Sequence, residues 1–128
     1  MSTPKDTAPP ELQFSTLEIF VEDFVAVVFD RSISPTQTCW CPQWWKHAEA
    51  VFDLMALWQS FEHMHVADGP TWSARWLTLF AYPIMDRLTS PAGPFRACSP
   101  AKGHNTQPDN PGGVLPCDKP DEGLFTPR

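Results

Sequence analysis

Cys41-Pro42-Gln43-Trp44-Trp45-Lys46-His47-Ala48-Glu49-Ala50-Val51-Phe52-Asp53-Leu54-Met55-Ala56-Leu57-Trp58-Gln59-Ser60-Phe61 opens on two soft-metal ligands and runs into a long helical pattern. Trp44, Val51, Leu54, Met55, Trp58 and Phe61 recur at helical spacing and make one apolar face, while Lys46, Glu49, Asp53 and Glu62 fall mainly on the opposite one. The spacing predicts a helix from about Gln43 to His65, with Pro42 suited to its first turn because it has no N–H to leave unsatisfied. Asp68-Gly69-Pro70 then supplies a turn.

Upstream, Ser15 and Glu18 have the S-x-x-E spacing of a capping box. Leu17, Phe20, Val21, Phe24, Val25 and Val28 follow as an apolar stripe, which predicts a helix down to about Arg31. Ile19, Val27 and Phe29 lie off that stripe, so the helix is expected to be covered on more than one side. Downstream, Thr71 is placed to cap a third helix that turns Trp72, Trp76, Leu79 and Phe80 inward. Pro83 should kink or end it, because a proline inside a helix removes a hydrogen bond and clashes with the preceding turn. If the helix resumes, Ile84, Met85 and Leu88 continue the apolar side.

At 128 residues the chain has the length of one small domain. Eight of its 15 prolines lie between Pro91 and Pro127, so the C-terminal part differs in kind from the rest. Residues 105–128 are rich in Pro and Gly and poor in aliphatic side chains. They are expected to be disordered, since such a segment buries too little apolar surface to offset its ordering entropy, and their removal is expected to leave stability nearly unchanged. Residues 1–11 read as a disordered N-terminal tail without the apolar core of a secretory signal. The fold class expected is therefore mainly α: a three-helix domain over residues 12–104, cross-linked by a metal, between two Pro-rich tails.

The metal comes from a repeated spacing. Cys41 and His47 are separated by five residues, and so are Cys98 and His104. A Cys2His2 set closes a tetrahedron around structural Zn2+, whereas catalytic zinc keeps a position open for water. Small domains also gain from such a cross-link, because their cores are small. The expected ligands are thus Cys41, His47, Cys98 and His104, with Cys39 an alternative to Cys41 and Cys117, in the presumed tail, the least suited. One geometric demand follows. If Cys41 caps the second helix, His47 lies about 9 Å further along its axis and must lean back to share an ion with it. His63 and His65, near the end of that helix, are explained by the helix dipole. Cys98 and His104 as nucleophile and base would make an enzyme, but no orienting third residue or oxyanion motif accompanies them, and none of the common nucleotide-binding or hydrolase motifs is present.

The charge excludes further classes. The net charge is −6 with His neutral, and no basic stretch offers a footprint for phosphates, unless Arg75, Arg87, Arg96 and Lys102 gather on one face. The longest apolar run, Ile19 to Phe29, is interrupted by Glu22 and Asp23 and is too short to span a bilayer. A cytoplasmic location is expected, where cysteines serve as ligands or thiols rather than disulfides. Six tryptophans are mostly expected in the core. Trp40 and Trp45 are claimed by neither side of the second helix and are the candidates for an exposed partner-binding surface.

Taken together, Trp40-Cys41-Pro42-Gln43-Trp44-Trp45-Lys46-His47, then Ala56-Leu57-Trp58-Gln59-Ser60-Phe61-Glu62, the Trp-rich third helix, Gly93-Pro94-Phe95-Arg96-Ala97-Cys98-Ser99 and Gly103-His104 resemble the actinobacterial domain of unknown function 4913. The likeness covers about residues 16–104. It implies that the Cys and His of both motifs coincide with Cys41, His47, Cys98 and His104, and that the chain is an accessory protein of a plasmid, integrative element or phage. Phe61 departs from the expected pattern, standing where a second Trp belongs. The function expected is a zinc-stabilised helical module that is not an enzyme and binds another, unidentified protein rather than nucleic acid or membrane; the alternative is a nucleic-acid-associated or metal-dependent enzymatic role.

Overall fold

The computed structural model describes residues 12–30, 33, 38–96, 115–121 and 124. Among them are three helical runs and no strand longer than an isolated bridge residue. The first run joins Leu17–Phe20, Val21–Val25 and Ala26–Val28; the second is Ala48–Ala67; the third joins Trp72–Trp76, Leu77–Ala81 and Tyr82–Leu88. The second helix is the hub and packs against both others.

The first helix starts one residue later than the capping box predicts. Thr16, not Ser15, takes the extended cap conformation, and its hydroxyl accepts the Ile19 N–H at 3.2 Å. That shift puts Ile19 at the third helical position, so Glu18 has no box to close and instead lies 3.6 Å from Lys119. Midway, Val21–Val25 form a π turn in which the Ala26 N–H donates to the Val21 carbonyl. A π turn inserts one extra residue, and each residue rotates a helix by about 100°. The apolar stripe therefore slips by one: Leu17, Phe20, Val21 and Val25 are buried as expected, but then Ala26 and Phe29, while Val28 is half exposed.

The second helix begins at Ala48 rather than Gln43. A 3₁₀ turn, Trp44–Lys46, precedes it, and His47 is extended at φ −105°, ψ 112°. The break coincides with a contact: the His47 ring lies edge-on to Phe95 with centroids 4.9 Å apart. Trp44, Leu54 and Phe61 are buried as predicted, and so is Leu57. Asp53 and Glu62, expected on the solvent face, are buried instead at 8% exposure each, because helices pack on two sides of this one. Glu62 has a reason to be there: its carboxylate accepts the Gln13 and Phe14 N–H groups, both at 2.8 Å, and so holds the chain entering the first helix.

In the third helix Pro83 neither ends the run nor breaks it. The π turn Leu77–Ala81 comes immediately before, with the Tyr82 N–H donating to Leu77, so the ladder is already widened where the proline would clash. The extra residue again shifts the face. Trp76, Ala81, Met85 and Leu88 point inward, whereas Leu79, predicted to do so, is 60% exposed, and Phe80 also reaches solvent. Thr71 precedes the helix without capping it through its side chain; its hydroxyl accepts from Arg75 at 3.3 Å. Past the helix the backbone folds tightly on itself. Gly93 donates to Ser90 at 2.8 Å, and a Cβ at Gly93 would overlap the Arg87 carbonyl oxygen. Cys39 donates its N–H to Thr89 at 2.7 Å, which joins the segment before the second helix to the end of the third.

One expectation fails over residues 115–121. Residues 115–121, assigned by composition to a disordered tail, pack on the domain. Leu115 is 1% exposed, inside the core, and its N–H donates to Ala26 at 3.0 Å. The rest of 105–128 and all of 1–11 lie outside the described residues, apart from Leu124.

Candidate functional site

Two features stand out once the helices are placed: a cysteine- and tryptophan-bearing end around residues 39–47, and an apolar groove between the first and third helices. At the first, Cys39 and Cys41 are buried, Cys41 completely, and His47 is half-buried. Phe95 links them. It meets His47 on one side and Trp40, the residue before Cys41, on the other, with centroids 5.3 Å apart. The start of the second helix and the segment after the third are thereby brought together. The extended His47 also removes the geometric demand made by a continuous helix, since no straight helical rise separates it from Cys41. Cys98 and His104 lie outside the described residues, and among the described residues no group of three or more His, Cys, Asp or Glu side chains has a metal-holding arrangement.

The tryptophans are anchored rather than open. Trp40, Trp44 and Trp76 are buried, so Trp40 is not the exposed partner-binding ring that its place outside the helical stripe suggests; its indole N–H donates to the Pro116 carbonyl at 2.6 Å. Trp45 is half-buried, donates to Asp118 at 3.2 Å and carries the Lys46 ammonium 5.5 Å from its ring. Trp58 and Trp76 donate to Phe14 and to the Ser60 hydroxyl, both at 3.0 Å. Buried indoles usually find such an acceptor.

The Cys117 thiol sits against this end, its sulfur 3.7 Å from the Leu115 carbonyl. Burial, aided by the Glu22 and Asp118 carboxylates, pushes its pKa up to about 12 although the Trp44 indole pulls the other way. At neutral pH it is a protonated, weakly nucleophilic thiol.

The groove has a volume of about 280 Å³ and is lined by Phe24, Val28, Phe61, Trp72, Trp76 and Leu77 among others. Phe61 is its floor. That ring lies 5.0 Å from Phe24, 5.1 Å from Trp72 and 5.2 Å from Trp76, so a phenyl rather than an indole completes the cluster. His65 stacks flat on Phe61 at 6.1 Å, which gives it a packing role, while His63 is exposed. The cations do not gather into a phosphate-binding face among the described residues. Arg75 pairs with Asp68 at 3.0 Å and Arg87 lies 3.8 Å from Asp53, while Arg96 donates to the Gly93 carbonyl at 3.1 Å.

The family model of a domain of unknown function (DUF4913) matches residues 14–118. The chain belongs to this family. The match runs past His104 and takes in Leu115 and Cys117, in keeping with the packed position of that segment. No curated protein matches the chain, and no solved structure does. No described helix of this DUF4913 protein is long and apolar enough to cross a membrane.

Proposed function

We propose that this chain is a small helical protein-interaction module, stabilised by one structural Zn2+ and encoded as an accessory or regulatory protein of a plasmid or phage. The observation that carries the metal is the contact of His47 with Phe95, which is packed in turn on Trp40. Cys98 follows Phe95 by three residues in sequence. Cys41, His47, Cys98 and His104 then hold the ion as two thiolates and two imidazoles, a closed set that leaves no position for a reacting water. Burial of Cys41 fits a structural ligand, shielded from exchange and oxidation. The interaction reading is supported by the apolar groove, whose rim residue Val28 is 50% exposed, and by the pairing of Arg75 and Arg87 with carboxylates, which disfavours phosphate binding by these two described cations.

Elemental analysis of protein purified without chelator tests the metal. About one equivalent of zinc is expected, lost on Cys41→Ser or Cys98→Ser and retained on Cys39→Ser and Cys117→Ser. Less than about half an equivalent in the native protein, or equal loss from the Cys39 variant, refutes the ligand set.

A further inference from the structure

Residues 115–121 form neither helix nor strand, yet four of their backbone groups, all between Leu115 and Asp118, are held by the domain. The Leu115 N–H donates to Ala26 at 3.0 Å and the Asp118 N–H to Pro42 at 2.9 Å. In the other direction the Trp40 indole donates to the Pro116 carbonyl at 2.6 Å and the Trp45 indole to the Asp118 carbonyl at 3.2 Å. Leu115 enters the core at 1% exposure and Cys117 packs against it. One cation, Lys119, reaches Glu22 at 2.9 Å and Glu18 at 3.6 Å. Pro116 and Pro120 limit the backbone freedom of the segment before it binds. Main-chain bonds for affinity, an apolar anchor, aromatic donors and a charge for register are how proteins read extended proline-containing peptides. The segment is seated here as a ligand would be.

We propose that the face formed by Trp40, Pro42, Trp45 and the Glu18/Glu22 side of the first helix is a recognition groove for an extended, proline-flanked segment with a leading aliphatic residue and a trailing lysine. Residues 115–121 occupy it in cis as a releasable strap, and a partner segment of the same chemistry takes the groove when the strap leaves. Leu115 is fully buried and Cys117 partly so, while the rest of the strap lies near the surface, so the strap opens at a smaller cost than the helices, whose cores are packed along their length. A tethered segment competes at an effective concentration in the millimolar range, so a free partner wins only where the strap is weakened or its own segment binds more tightly. The proposal rests on the interaction reading above.

Native-state hydrogen exchange on the full chain tests the release. The Leu115 and Asp118 amides should exchange at least about 10-fold faster than those of Leu54 and Leu57, with a shallower dependence on denaturant. Exchange in step with Leu54 and Leu57 shows that the strap leaves only on global unfolding and overturns the proposal. Trans binding is read by tryptophan fluorescence with a synthetic peptide of residues 114–121. It should bind full-length Leu115→Asp and Lys119→Glu chains at least about 10-fold more tightly than the native chain, and a peptide carrying Asp in place of its leucine should not bind. Lys119 is fully exposed, so that variant keeps its core and decides the matter even if Leu115→Asp does not fold. Faster strap exchange in Lys119→Glu without peptide binding shows that the groove accepts no segment in trans; that result overturns the proposal and removes this face from the interaction reading, whereas coincident exchange removes only the strap.

Discussion

Leu115→Ala is the substitution that most sharply separates the packed segment from a passive tail. Leu115 is 1% exposed within the core formed by the first helix and the tryptophans. Truncating a buried leucine to alanine costs about 2–5 kcal/mol, the lost transfer energy plus the cavity left behind. Here the upper part of that range is closed off. A helical core residue must leave its cavity in place, but a strap held by a few bonds either collapses into the space or detaches, so the loss cannot exceed the free energy of docking the strap. The expected cost is therefore about 2–3 kcal/mol. A chain of this size loses about 3–5 °C of melting temperature per kcal/mol, so the variant should melt about 6–15 °C below the native protein. Circular dichroism on both proteins, with a chain ending at residue 114 as a third sample, measures it. The truncated chain should fall by as much or more, because it also forfeits the carbonyls bonded by Trp40 and Trp45. A fall below about 3 °C in both refutes the packed position of Leu115 and restores the expectation drawn from composition.

Gly93→Ala should cost about 1–3 kcal/mol, because the new methyl group overlaps backbone, the Arg87 carbonyl, and not a side chain able to swing away; a chemical-denaturation midpoint equal to that of the native chain contradicts this. Burial raises the Asp53 carboxyl above its ordinary range, against the pull of Arg87 and with help from Glu49, and its Oδ2 has no hydrogen-bond partner among the described residues. The folded chain therefore holds that proton more tightly than the unfolded one, so stability should fall as pH rises from about 4 through the raised native value, and Asp53→Asn should flatten the fall in a denaturation series across those pH values. The same sign applies to Cys117: its native pKa of about 12 lies above an unfolded value of about 8.5, so stability should decline as pH climbs past that lower value, and Cys117→Ala should remove that component of the decline in melts between neutral and alkaline pH.

The period of apolar residues locates all three helices but not the faces they bury. Leu17, Phe20, Val21 and Val25 follow the pattern, and then the π turn in each outer helix shifts the register by one residue. Ala26 and Phe29 consequently go inward in place of Val28. Nothing in a count of threes and fours signals that slip. Pro83 is its only legible sign in the third helix, and there the sequence shows a disruption without showing whether the chain stops, kinks or widens. Charge misleads in a different way. Asp53 and Glu62 look solvated because carboxylates usually are, yet Glu62 answers two backbone N–H groups more than forty residues upstream, a pairing that no local window contains.

The candidate site divides along the same line. The pairing of Cys41 with His47 is a pattern of residue type and spacing, and the Gly93-Pro94-Phe95 turn that meets His47 stands out as a motif, because each is written within a few adjacent residues. Trp40 reads as exposed for the opposite reason. No face of the second helix claims it, and the group that satisfies its indole is the Pro116 carbonyl, 76 residues later. The same averaging hides the strap. Over residues 105–128 the prolines and glycines outweigh one aliphatic anchor, so composition argues for disorder, but docking needs only Leu115 to be buried and a few backbone groups to find donors and acceptors. A segment too poor in apolar residues to fold by itself can still be ordered by a surface that is already folded. The tryptophans that look spare in the helical pattern supply that surface, so the unexplained indoles and the underestimated tail were one feature seen from its two ends.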